Sequence, residues 1–67
     1  MIQEYNIIKA LHDLNDKVRT GCRGTVLIIY PGSPINYEVE FVDEMNQTVD
    51  VLTVTADDVT IDDTNTV

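Results

Sequence analysis

Between residues 37 and 42 the chain alternates strictly: Tyr37, Val39 and Phe41 are apolar, Glu38 and Glu40 charged. Period-two alternation of this kind fits a half-buried antiparallel strand, one set of side chains in a core and the other on a wet face. The flanking sequence offers further strands. Residues 25–30 (TVLIIY) are β-branched and aromatic, entered through Gly21 and Gly24, and read as a second strand. Pro31-Gly32-Ser33-Pro34 then supplies turn chemistry: proline fixes φ, glycine accepts positive φ, and Pro34 discourages helix before it. Residues 44–47 read as a hairpin loop, with Asn46 suited to the left-handed conformation. Residues 48–55, rich in valine and threonine, form the third strand. A tight turn at residues 56–58 leads to a short closing strand at 59–61, and residues 62–67 are polar and expected to fray.

The first segment reads two ways. Ile7, Ile8, Leu11 and Leu14 fall at helical spacing, and Lys9, Ala10 and Leu11 favour a helix. Tyr5, Ile7 and Leu11 also suit one face of a strand. The local pattern leans towards helix.

Sixty-seven residues make a single domain, residues 1–67, with a thin core; a chain of this length buries only about 60% of its unfolded surface. One cysteine and one histidine exclude an intrachain disulfide, and exclude a zinc site unless carboxylates or a second chain complete it. No cofactor is implied. No apolar run approaches the roughly 18 residues of a membrane span. No basic segment followed by an apolar one marks a signal peptide, and the lone thiol suits a cytoplasmic setting.

Charge is distributed unevenly. All four cations (Lys9, Lys17, Arg19, Arg23) precede residue 24, whereas residues 25–67 hold nine carboxylates and no lysine or arginine, for a net charge of −8. That field disfavours direct nucleic-acid binding, which depends on cations neutralising phosphates. It favours cationic surfaces and speeds encounter with them.

Gly21-Cys22-Arg23-Gly24-Thr25-Val26, Tyr30-Pro31, Tyr37-Glu38-Val39-Glu40-Phe41-Val42-Asp43 and Thr53-Val54, in this order and spacing, carry a resemblance. The chain resembles a family of small bacterial proteins known as domain of unknown function 4926, over residues 5–61. The resemblance implies a mainly β fold, a small SH3-like antiparallel barrel of about five strands, with residues 5–12 as a strand. The alternative fold is α+β, an N-terminal helix packed on a three- to four-stranded antiparallel sheet. Two positions depart from the family pattern: Met45-Asn46 replaces an aspartate-glycine pair in the hairpin, and residues 15–18 lack the proline usual in the first loop. The resemblance implies no reaction; it suggests an antitoxin or immunity role.

The candidate sites divide sharply. The GxxG element reads as structural, its glycines supplying positive φ at a bend, because no helix N-terminus or Walker lysine follows it. Cys22 lacks a base and reads as an inert thiol; His12 reads as a surface residue. Asp57, Asp58, Asp62, Asp63 and Glu44 lack the spacing of a calcium loop and read as solvated. Glu38 and Glu40 share an outer face about 7 Å apart. Asp50 on the next strand is expected to join them, which by alternation turns Leu52 and Val54 outward beside them. With Tyr30, these residues form a candidate protein-binding surface. The expected partner is a protein with a basic surface, a toxin or a nucleic-acid-handling protein, and a homodimer is a further possibility. The leading expectation is a non-catalytic module that neutralises a cationic protein. The alternatives are an anti-CRISPR or other counter-defence inhibitor imitating nucleic-acid charge, and an accessory SH3-like subunit of an enzyme complex.

Overall fold

In the computed structural model, residues 1–62 are described. They form five strands and no helix: β1 (Ile7–Ala10), β2 (Arg23–Tyr30), β3 (Asn36–Val42), β4 (Thr48–Thr55) and β5 (Val59–Ile61). All pair antiparallel in one sheet of order β4-β3-β2-β1-β5. A meander of three strands thus continues through β1 to the closing strand β5, the strand order of an SH3-like barrel. The sheet wraps a core of Ile8, Ala10, Val18, Val26, Tyr37, Val39, Phe41, Val54 and Val59.

The first segment is a strand, and the helical lean is corrected. β1 pairs with β2 on one edge and β5 on the other, so its backbone groups are satisfied across the sheet rather than along a helix. Ile8 and Ala10 turn into the core while Ile7 and Lys9 face outward. The strand is also shorter than residues 5–12. Tyr5 has φ of 67° and marks a bend before it, and Leu11 is 49% exposed after it.

Between β1 and β2 the chain makes a long excursion that carries Val18 into the core. Its base is pinned by Ala10 N–H on the Cys22 carbonyl at 2.9 Å and Gly21 N–H on the Ala10 carbonyl at 2.8 Å. At its tip the Asn15 side-chain oxygen accepts the N–H groups of Lys17 and Val18 at 2.9 and 2.7 Å. That turn aims Val18 inward, where it is fully buried. Asp13 braces the returning arm, accepting the Thr20 N–H and hydroxyl at 2.8 and 2.9 Å and pairing with Arg19 Nε at 3.0 Å.

The two glycines of the GxxG element do different jobs. Gly21 has φ of 87° and supplies the bend, as expected. Gly24 instead lies in β2 where a Cβ would sit 2.7 Å from Val39 Cγ1 and 2.8 Å from the Glu40 carbonyl. The predicted hairpin after β3 holds: Asn46 has φ of 66°, and Asp43 Oδ1 accepts the Met45 and Gln47 N–H groups at 2.8 and 3.0 Å. The expected frayed tail begins at Asp62, yet Asp62 is held, its N–H on the Ile7 carbonyl at 2.9 Å and its carboxylate 2.8 Å from Arg23 Nε. Residues 63–67 lie outside the described residues.

Candidate functional site

Pairing register decides which side chains share a face. In β3, Tyr37, Val39 and Phe41 are buried, and Glu38 and Glu40 stand on the opposite, outer face. The β3–β4 ladder places Val54 opposite Tyr37, Leu52 opposite Val39 and Asp50 opposite Phe41. Directly opposed residues point to the same side of a sheet. Asp50, Leu52 and Val54 therefore lie on the inner face, and the expected patch of Glu38, Glu40 and Asp50 with outward Leu52 and Val54 is corrected. Val54 is 3% exposed and belongs to the core, and Leu52 packs against it. Asp50 sits half-buried at the rim, where its Oδ2 accepts Asn15 Nδ2 at 3.0 Å and its Oδ1 accepts the Val51 N–H at 2.9 Å. The physical reason is that β4 is apolar on both sides, with Val49, Val51, Leu52 and Val54, so its own pattern does not fix register. A bulge between the Phe41 and Val42 pairings, at Val49, completes the shift.

What flanks the glutamates is a different set of residues. Across the outer face, Ile28, Glu38 and Thr53 form one row; Ile7, Thr25, Glu40 and Val51 form the next. Tyr30 extends the face beyond Ile28, opposite Asn36. Ile7, Ile28, Tyr30 and Val51 are 39%, 44%, 41% and 44% exposed. Each carboxylate is oriented by a hydroxyl on β4. Thr53 donates to Glu38 Oε1 at 2.6 Å, and Thr48 donates to Glu40 Oε2. The arrangement holds two fixed anions within an exposed apolar field, a pattern suited to a cation carried on an apolar stem. Tyr30 was legible in the sequence. Ile28 and Val51 were not, since a bulge between Val26 and Ile28 shifts the β2 pairing and one between the Phe41 and Val42 pairings shifts that of β4.

The outer face runs into a cleft of about 790 Å³ between the base of the first loop and the β3–β4 hairpin. Lys17 and Arg19 line it from the first loop, Arg23 from the start of β2, and Glu40, Asp43 and Glu44 from β3 and its hairpin. Sequence reading missed this cleft, although the clustering of three of the four cations in residues 17–23 was its signal.

Cys22 and His12 each have a close polar neighbour. Burial, and after it the nearby Asp43 charge, pushes the Cys22 thiol up from its ordinary value, which lowers its thiolate fraction. The Cys22 thiol lies 3.4 Å from the Val42 carbonyl. His12 Nε2 lies 2.9 Å from Asp58 Oδ1. Asp58 is held below the ordinary carboxylate value, first by the Thr55 N–H and then by His12 and the Thr55 hydroxyl. Among the described residues no three His, Cys, Asp or Glu side chains gather as metal ligands, and no helix is long and apolar enough to cross a membrane.

The family model described as domain of unknown function (DUF4926) matches residues 4–61. No curated protein and no solved structure matches the chain.

Proposed function

The chain belongs to this family of unknown function, and from that premise we propose that it is a stoichiometric protein-binding module, of the antitoxin or immunity type, for a partner with a basic surface. The observation that carries this reading is the outer face of β2, β3 and β4. Glu38 and Glu40, each fixed by a threonine hydroxyl, are interleaved there with exposed Ile28, Tyr30 and Val51. Apolar side chains exposed in one continuous field bind by excluding water, and the carboxylates select cations at their rim. The partner presents lysine or arginine beside apolar residues. Asp50, Leu52 and Val54 hold the fold behind this face and do not touch the partner.

The test is a pull-down from the native host with three baits: wild type, Ile28→Asp/Val51→Asp, and Asp57→Asn as a surface control. A basic protein retained by wild type and the control but lost from the double variant is expected. Co-expression then reads neutralisation: the wild type relieves the captured protein's toxicity and the double variant does not. Equal capture by all three baits overturns the reading.

A further inference from the structure

Opposite charges on a folded surface often pair, the Coulomb attraction at about 4 Å being worth roughly 1 kcal/mol in water before the entropy of holding both side chains is set against it. The cleft beside the outer face breaks that habit. Lys17, Arg19 and Arg23 line it together with Glu40, Asp43 and Glu44, yet among the described residues no ion pair joins these cations to these carboxylates. Arg19 pairs with Asp13, within its own loop, and Arg23 with Asp62, after β5. Both arginines use Nε for those bonds, and a guanidinium carries four further N–H donors on its terminal nitrogens. Glu40 spends one oxygen on Thr48, and Asp43 spends Oδ1 on its own hairpin. Each keeps a second oxygen.

We propose that this cleft is a binding site for an amphoteric peptide segment, one that sets a cationic side chain close to a carboxylate. The cation enters against Glu40, Asp43 and Glu44, and the carboxylate against Lys17, Arg19 and Arg23. A purely basic segment meets three cations on entry, and a purely acidic one meets three carboxylates, so both are disfavoured. The cleft shares Glu40 and Thr25 with the outer face, so a bound chain can run from one into the other. The inference rests on the outer-face reading only in taking the ligand to be a protein segment.

Amide chemical-shift titrations with capped tripeptides test it. Acetyl-Lys-Gly-Asp-amide and acetyl-Asp-Gly-Lys-amide are compared with the Lys-Gly-Lys and Asp-Gly-Asp analogues. The expected result is saturable shifts at the Thr20, Gly21, Gly24 and Asn46 amides for a mixed peptide, with at least tenfold weaker response to both single-sign peptides. Lys17 and Glu44 are exposed, so Lys17→Glu and Glu44→Lys leave the fold intact, which the dispersion of the same spectra verifies. Each lowers the mixed-peptide affinity several-fold. No saturable shift at the cleft amides, or a Lys-Gly-Lys peptide binding as well as the mixed ones, overturns the proposal. Failure of the outer-face reading shows separately, in the Ile28→Asp/Val51→Asp pull-down.

Discussion

Phe41 and Glu38 are three positions apart and sit in opposite environments, and their substitutions separate accordingly. Phe41 is fully buried in the core. Truncating it to alanine is expected to cost about 3–5 kcal/mol, a large share of what a small domain holds. Glu38→Gln keeps an acceptor for the Thr53 hydroxyl and is expected to change stability by less than about 0.5 kcal/mol. Urea unfolding of both variants measures the contrast, and equal losses would invert the faces of β3. Gly24 makes a sharper case. Its missing Cβ is what lets Val39 and Phe41 approach β2, with Val39 Cγ1 only 2.7 Å from where that atom would be. Gly24→Ala is expected to cost about 1–3 kcal/mol through overpacking, whereas sequence reading assigned both glycines to a bend. The two roles look identical in sequence because close approach is a property of the strand that packs opposite, which lies fifteen or more residues away.

At the scale of elements, β4 shows what local pattern leaves open. β3 was legible because its alternation is strict, and its inner and outer sets are those expected. β4 was legible as a strand but not in register, so Asp50 fell on the wrong face. The helical spacing of Ile7, Ile8, Leu11 and Leu14 misled for a related reason. A short segment takes its conformation from the strands that claim its backbone, here β2 and β5. Register also gives Asp50 a different job. β4 is an edge strand, and its outward N–H groups are a template for another chain. Asp50 occupies the Val51 N–H and Asp58 the Thr55 N–H, both at 2.9 Å. Asp50→Ala uncovers one of these donors and is expected to increase self-association in sedimentation velocity, relative to wild type and to Asp57→Ala, which makes the same charge change. Unchanged sedimentation would mean that the first loop alone protects the edge. The carboxylate braces also carry a pH dependence. Thr20 and Arg19 hold Asp13, and Thr55 and His12 hold Asp58, below the ordinary value of 3.8. A depressed folded-state value contributes stability that is present above 3.8 and is lost as pH falls through the folded-state value. Asp58→Asn still accepts the Thr55 N–H but does not titrate there, so its Tm should fall less steeply than that of wild type between about pH 4 and pH 2.

Over the whole molecule, the asymmetry of charge along the sequence becomes an asymmetry in space. Lys9 stands on β1, Lys17 and Arg19 in the first loop and Arg23 at the start of β2, while β3 and its hairpin carry Glu38, Glu40, Asp43 and Glu44 with no cation among them, and the two sets meet at the cleft. This much was legible from the chain alone, since β1 and the first loop precede residue 24 and β3 to β5 follow it. If a basic partner docks on the outer face, its approach is governed by this field. Screening limits the field's reach to about 8 Å at physiological ionic strength. Raising salt should therefore slow association, by about tenfold across a low-to-physiological series, and leave dissociation nearly unchanged. Glu38→Lys/Glu40→Lys should reproduce that slowing at low salt. Lys9→Glu, on β1 and away from β3, should alter the rate far less. Dissociation instead answers to the apolar residues between the glutamates, so Val51→Ala should shorten the complex lifetime with little effect on the association rate. Stopped-flow kinetics on the captured partner resolves the two rates. An association rate indifferent to salt, with binding still abolished at Ile28 and Val51, would leave recognition to the apolar rows and reduce the acidity to a device for solubility.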